Sequence, residues 1–167
     1  MNKRDETLAK LRLIAFDVDG VFTDGRFYLS NDGIESKAFH THDGFGIRRL
    51  LGVGLDVAVI SGRQSAAVEN RMQELGVQHI VQGSTDKIAS FESIASELGI
   101  NEMQTAYVGD DVPDLPLLRH VGFSFAVRNA HSDVKAECDY TTDNAGGFGA
   151  VREVCDLILR MRQEHRG

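Results

Sequence analysis

The sequence predicts an α/β fold: a doubly wound, mostly parallel sheet with helices on both faces. Three observations carry this. Short apolar runs recur along the chain, segments of helical period separate them, and acids, a hydroxyl and a lysine follow the ends of the runs.

The elements follow in order. Leu11–Phe16 is apolar enough for a buried strand. The segment "GRFYLSNDGIESKAF" has two extended stretches around Asn31-Asp32-Gly33, and Asp-Gly between apolar-rich flanks predicts a β-hairpin over about 25–39. Gly44–Leu51 carries Ile47, Leu50 and Leu51 on one side of a helix. Val57–Ile60 is the next strand, and Gln64–Leu75 places Val68, Met72 and Leu75 on one helical face. His79–Val81 reads as a strand, and Asp86–Leu98 as a helix burying Ile88, Phe91, Ile94, Ala95 and Leu98. Strands are predicted at Thr105–Val108 and Phe123–Val127. A last helix over Gly149–Arg162 aligns Val151, Val154, Cys155, Ile158 and Met161. No internal repeat or linker interrupts the pattern, so residues 1–167 read as one domain.

Composition excludes several function classes. The formal net charge of -7 argues against nucleic acid and anionic membranes as partners. No apolar run approaches the roughly 20 residues of a membrane span. The start "MNKRDETLAK" is too polar for a secretory signal, and Cys138 and Cys155 have no CxxC spacing, so a cytoplasmic protein with two reduced thiols is expected. His40-x-His42 lacks a third ligand at a zinc-like spacing, and "AGGFGAV" is not a dinucleotide fingerprint.

In open α/β sheets ligands bind beyond the carboxyl ends of the strands. After the first strand come Asp17 and Asp19; after the second, Ser61, Gly62 and Arg63. Lys87 opens a helix, and Gly109, Asp110, Asp111 and Asp114 follow the strand at 105–108. Crowded carboxylates repel until a hard cation neutralises them, and Mg²⁺ needs only one or two protein carboxylates, here Asp17 and Asp110. A phosphoryl group would complete the shell and be received by Ser61 and Lys87. One aspartate can then attack phosphorus, while the other protonates the leaving alcohol and deprotonates the hydrolytic water.

These stretches resemble the motifs of haloacid dehalogenase-like phosphatases: "DVDGVFTDG", "VAVISGR", Lys87 and "YVGDDVPD", in order across about 11–115. The resemblance implies Asp17 as nucleophile and metal ligand, and Asp19 as acid/base that also gives a main-chain carbonyl to the metal. It implies Ser61 and Lys87 as phosphate ligands and Asp110 as a metal ligand, with Asp111 or Asp114 supporting the metal shell. The gaps between motifs leave no room for a cap domain. The chain therefore resembles the capless branch that includes 3-deoxy-D-manno-octulosonate (KDO) 8-phosphate phosphatases of lipopolysaccharide biosynthesis. Further points of likeness are "KAFHTHDGFGIRRL" and "AGGFGAVREVCDLIL".

That branch implies substrate contacts at His40, Thr41, His42, Asp43, Gly44, Arg48, Arg63 and Arg71, besides Asp19 and Lys87. Guanidinium groups suit a substrate carrying both phosphate and carboxylate. His42 and Phe148 depart from the branch, which often has basic residues at these places. A nine-carbon keto-acid 9-phosphate is therefore an alternative substrate. A non-catalytic oligomerisation module and a phosphotransferase are the other readings. The projecting hairpin, with Phe27, Tyr28, Ile34 and Phe39, has edges that invite pairing between subunits. The resemblance implies a homotetramer in which a neighbour would roof each site, and a monomer with the hairpin folded onto its own sheet is the alternative.

Overall fold

The apolar runs become parallel strands in the middle of the molecule. The computed structural model describes residues 3–166. Its strands are β1 (Leu13–Phe16), β2 (Tyr28–Leu29), β3 (Glu35–Ser36), β4 (Asp56–Ile60), β5 (His79–Val81), β6 (Thr105–Gly109), β7 (Phe123–Ala126) and β8 (Tyr140–Thr141). The main sheet runs β5-β4-β1-β6-β7-β8, and every pairing in it is parallel. In β1, Leu13 is in register with Asp56 on one side and Thr105 on the other.

The helices are α1 (Lys3–Ala9), α2 (Thr41–Gly52), α3 (Ala66–Leu75), α4 (Lys87–Glu97), α5 (Leu115–His120), α6 (Ser132–Glu137) and α7 (Ala150–Arg166). They cover both faces: α7 packs on α1 and α2, α2 also meets α3, and α4 packs on α5. Each strand of a doubly covered sheet is buried on both sides, and β1 has no exposed residue. Phe16 and Phe22 meet in the core with ring centroids 5.4 Å apart, among Ile47, Leu50, Met72, Phe91, Val154 and Ile158.

The predicted helix starts shift by one to three residues, and at α2 and α4 a polar residue caps the start. His40 accepts the His42 N–H, so α2 begins at Thr41 rather than Gly44. Asp86 accepts the Ala89 N–H and leaves Lys87 as the first residue of α4. Four further elements, α1, α5, α6 and β8, are too short or too polar for periodicity to reveal.

The hairpin forms with two-residue strands paired Tyr28 to Ser36 and Leu29 to Glu35. Ser30 N–H donates to Ile34 O at 3.0 Å, and Gly33 turns the chain at φ +78°. Tyr28 is 72% exposed and Ile34 67%.

Candidate active site

The chain runs outward from β1 to β4 and β5, then crosses back to β6. That reversal opens a crevice at the carboxyl ends of β1 and its two neighbours, where Asp17, Ser61 and Asp110 lie. Asp17 N–H is tied to Val108 O at 3.0 Å, and Val18 N–H donates to Asp17 Oδ1 at 2.8 Å. Beyond it the loop is drawn tight. Val21, Phe22 and Thr23 all donate N–H bonds to Val18 O, and the buried Thr23 hydroxyl accepts from Gly20 N and Gly25 N. This is the physical content of "DGVFTDG".

Gly20 is held between two walls. A Cβ on it would stand 1.9 Å from Asp110 Oδ2, and a Cβ on Gly146 would stand 1.7 Å from Gly20 O. The "AGGFGAV" loop is therefore packed directly on the loop carrying Asp19. Asn129 fixes it by accepting the Gly146 N–H at 2.7 Å.

Ser61 is buried at the end of β4. Its N–H donates to Val81 O, its O accepts from Ser84 N, and its Oγ accepts from Arg63 N at 3.3 Å. Lys87 reaches in from the first turn of α4. Its Nζ is 3.1 Å from Asp17 Oδ1, 2.7 Å from Asp114 Oδ1 and 3.2 Å from Tyr107 Oη.

Among the described residues, Asp17, Asp110 and Asp114 offer carboxylate oxygens within 4.8 Å of one another. Asp114 is fully engaged. Its Oδ1 accepts from Lys87 and from Tyr107 Oη–H, and its Oδ2 accepts from Asp110 N and Asp111 N. Asp111 is exposed and accepts from Val112 N. Asp17 and Asp110 are thus the carboxylates left for a cation, and Asp114 orients Lys87 and the turn that carries Asp110.

Electrostatics agree with that division. Burial first, then the Asp114 charge, pushes Asp17 up to about 7 against the pull of Lys87. Burial, then Asp17, Asp114 and Asp111, pushes Asp110 up to about 8. Burial lowers Lys87, but the charges of Asp17 and Asp114 outweigh it and raise the lysine overall. Oxygen donors that repel this strongly fit a hard divalent cation.

The haloacid dehalogenase-like hydrolase family matches residues 76–154. A KDO 8-phosphate phosphatase of Yersinia pestis is 44% identical over 159 residues, 95% of this chain and 85% of its own length. The chain belongs to the haloacid dehalogenase-like hydrolases. The Escherichia coli K12 protein of the same description is 47% identical over 149 residues, 89% of this chain and 79% of that one. A crystal structure of the Moraxella catarrhalis phosphatase, in complex with magnesium ion, phosphate ion and KDO, superposes with TM-score 0.95. That match is 42% identical and covers 99% of this chain and 95% of that one.

Other residues named by the family resemblance fall into two groups in this hydrolase. Asp19 and Arg63 lie beside the hairpin: Asp19 Oδ1 is 2.5 Å from Lys37 Nζ, and Arg63 Nε is 4.0 Å from Asp19 Oδ2. The second group sits around the start of α2. His40 and His42 stack edge to face at 4.8 Å and line a cavity of about 320 Å³ with Asn144, Phe148, Arg152 and Arg160. Thr41 is exposed there. Asp43 is buried and accepts the Arg152 N–H at 2.9 Å, so its carboxylate ties α2 to α7. Gly44 is where α2 meets α3, since a Cβ on it would reach Arg71 Nη2 at 2.4 Å. Arg48 donates to Glu74 O, and Arg71 pairs with the Glu74 carboxylate. Among the described residues, no hydrogen bond or ion pair joins this second group to Asp17, Asp19, Lys87 or Asp110.

Sequence reasoning missed Lys37, Glu35, Tyr107, Thr23 and Asn129. Glu35 and Lys37 alternate on one side of an extended stretch, which is a readable signal. Tyr107 sits inside an apolar strand, and Asn129 in a loop without any pattern.

Proposed function

We propose that this chain is a magnesium-dependent phosphatase that hydrolyses KDO 8-phosphate to the free sugar acid and phosphate. The observation that carries the chemistry is the Asp17 carboxylate, buried at the end of β1, held 3.1 Å from Lys87 and clustered with Asp110. The substrate is supported by what the relatives of Yersinia pestis and Escherichia coli are named for.

Asp17 and Asp110, with the main-chain carbonyl of Asp19, would hold the cation, which when bound neutralises the carboxylates and polarises the phosphoryl group. Asp17 attacks phosphorus; its bond to phosphorus forms as the bond to the sugar oxygen breaks. Asp19 gives its proton to that oxygen. Water then attacks the aspartyl-phosphate, Asp19 takes its proton, and the bond between phosphorus and Asp17 breaks. Lys87 and Ser61 receive the phosphoryl oxygens, and Lys87 stays charged because two acids raise its pKa.

The α2 group implies a second copy. His40, Thr41, His42, Arg48 and Arg71 serve the substrate if a neighbouring subunit brings its α2 end over the crevice, with Arg63 at the border. Asp43 and Gly44, which the resemblance also names, are buried against α7 and α3 and would instead hold that end of α2 in place. The exposed Tyr28 and Ile34 suit a hairpin-mediated homotetramer, in our reading with residues 1–167 as one domain and a cytoplasmic location. No helix among the described residues is long and apolar enough to cross a membrane. The nine-carbon keto-acid 9-phosphate remains the second substrate reading, because His42 and Phe148 line one cavity and both lack a permanent positive charge.

A phosphate-release panel of sugar phosphates, with Mg²⁺ and with chelator, tests the proposal. KDO 8-phosphate should give the highest kcat/KM, and chelator should abolish turnover. A higher value for the nine-carbon ester would move the assignment to that substrate. Sedimentation should show a tetramer at assay concentration, and a fully active monomer would remove the role given to the second copy.

A further inference from the structure

Apart from the carboxylate cluster, a closed ring of four charged side chains ties the hairpin to the catalytic loop. Lys37 Nζ lies 2.5 Å from Asp19 Oδ1 and 3.5 Å from Glu35 Oε1. Arg63 Nη2 lies 2.5 Å from Glu35 Oε2, and Arg63 Nε closes the ring at 4.0 Å from Asp19 Oδ2. The ring is graded in exposure: the Lys37 side chain is 1% exposed, Glu35 16%, Asp19 23% and Arg63 50%. Arg63 also lies over the Phe27 ring at 4.2 Å, a second hold on the hairpin.

The ring is an improbable device for stability alone. Burying an ammonium is costly unless it is paired, and replacing a buried ion pair by apolar groups is often neutral or stabilising. What a ring of this shape does supply is orientation. Lys37 holds Oδ1 of Asp19, and Oδ2, 4.0 Å from Arg63 and not hydrogen-bonded to it, is the oxygen left to carry the proton; rotation of the carboxylate would break the Lys37 contact and turn Oδ2 away. The cations in turn are spaced by the two oxygens of Glu35. The hairpin has only two residues in each strand and little rigidity of its own.

We infer that Lys37 is a positioning residue for Asp19 and that Glu35 sets Lys37 and Arg63, making the hairpin part of its own subunit's proton-transfer apparatus. This rests on the reading of Asp19 as the general acid. Removal of Lys37 leaves Asp19 present but badly aimed. The loss then falls on steps that need a proton at the leaving oxygen, and spares esters whose leaving group departs without one.

The test compares kcat/KM of the Mg²⁺-loaded protein on β-glycerol phosphate, a poor leaving group, and p-nitrophenyl phosphate, a good one. This parameter covers events through phosphoryl transfer to Asp17 and leaves out hydrolysis of the intermediate. K37M should lose about tenfold or more on the alkyl ester beyond its loss on the aryl ester, a part of the roughly 10²–10⁴-fold that general acid catalysis supplies. K37R should recover most of that difference, and E35Q should show the same direction at smaller size. D19N is the reference. If D19N separates the two esters and K37M lowers both equally, Lys37 is structural and the inference is overturned. If D19N itself fails to separate them, the acid role of Asp19 fails first and takes the inference with it. Should K37M not fold, E35Q decides: equal losses on both esters overturn the inference, and a selective alkyl loss supports it.

Discussion

Magnesium binding to this hydrolase should expel protons, and the number expelled should depend on pH. The oxygens of Asp17, Asp110 and Asp114 lie within 4.8 Å of one another. At that separation and an effective dielectric of about 20, two unit charges repel by roughly 3.5 kcal/mol. At about 1.36 kcal/mol per pKa unit, one such neighbour raises a carboxyl by about 2.5 units. Burial is the largest cause of the rise and this repulsion the next, against the pull of Lys87, and together they leave Asp17 near 7 and Asp110 near 8. In the metal-free protein both bind protons below their raised values, and a cation must displace them. Apparent Mg²⁺ affinity should then rise up to about a hundredfold per pH unit below about pH 7, about tenfold per unit between about 7 and 8, and level off above. The same shifts give the sign for stability. An unfolded aspartate titrates near about 3.9, so between about pH 4 and pH 8 the native state binds more protons than the unfolded chain, and metal-free stability falls as pH rises through that window. Calorimetric titration in two buffers of different ionisation enthalpy counts the protons. Thermal melts with and without chelator should show a Mg²⁺ stabilisation that is larger at about pH 8 than at about pH 6. A pH-independent affinity with no proton release would refute the reasoning.

Further substitutions probe the rest of the site. D17N should abolish phosphate release, whereas D19N should retain the nucleophile and lose roughly 10²–10⁴-fold; a phosphoryl group trapped on a residue other than Asp17 would contradict this. G146A should lower stability by about 1–3 kcal/mol and depress kcat as well, because its methyl collides with Gly20 O, while G52A, with open space around it, should do neither. Denaturant melts and kcat measured together would expose an error. Y107F removes a hydroxyl that both donates to Asp114 and accepts from Lys87, and should cost about 1–3 kcal/mol in denaturant unfolding. An unchanged midpoint would show that the bond carries no weight.

The sheet was legible in the sequence because its strands are buried on both sides and so read as uninterrupted apolar runs, as at Leu13–Phe16. The acids at the strand ends were legible for the complementary reason: a carboxylate beside a buried run demands an explanation. What escaped was whatever depends on partners distant in sequence. Asp114 could be read as a carboxylate but not as one saturated by Lys87, Tyr107 and two backbone N–H groups, since those partners lie on other elements. Asp43 is a substrate contact by the family resemblance, but nothing in its neighbours along the chain shows that α7 packs over it and that Arg152 N–H binds it. The hairpin was visible in Asp32-Gly33, but its turning inward through Lys37 and Glu35 depends on where Asp19 and Arg63 come to rest.

The two halves of the site are fastened to the protein very differently. Asp17, Ser61 and Asp110 follow strands with fully buried residues in mid-sheet, where amide hydrogens exchange only when the whole domain opens. The hairpin tip and the opening residues Thr41 and His42 of α2 are exposed, and the hairpin strands pair over two residues each, so their amides should exchange by local opening. The exposed positions 26–34 and 41–42 can therefore change with little penalty to folding. The phosphoryl-transfer centre has no such latitude: altering its backbone means altering the sheet.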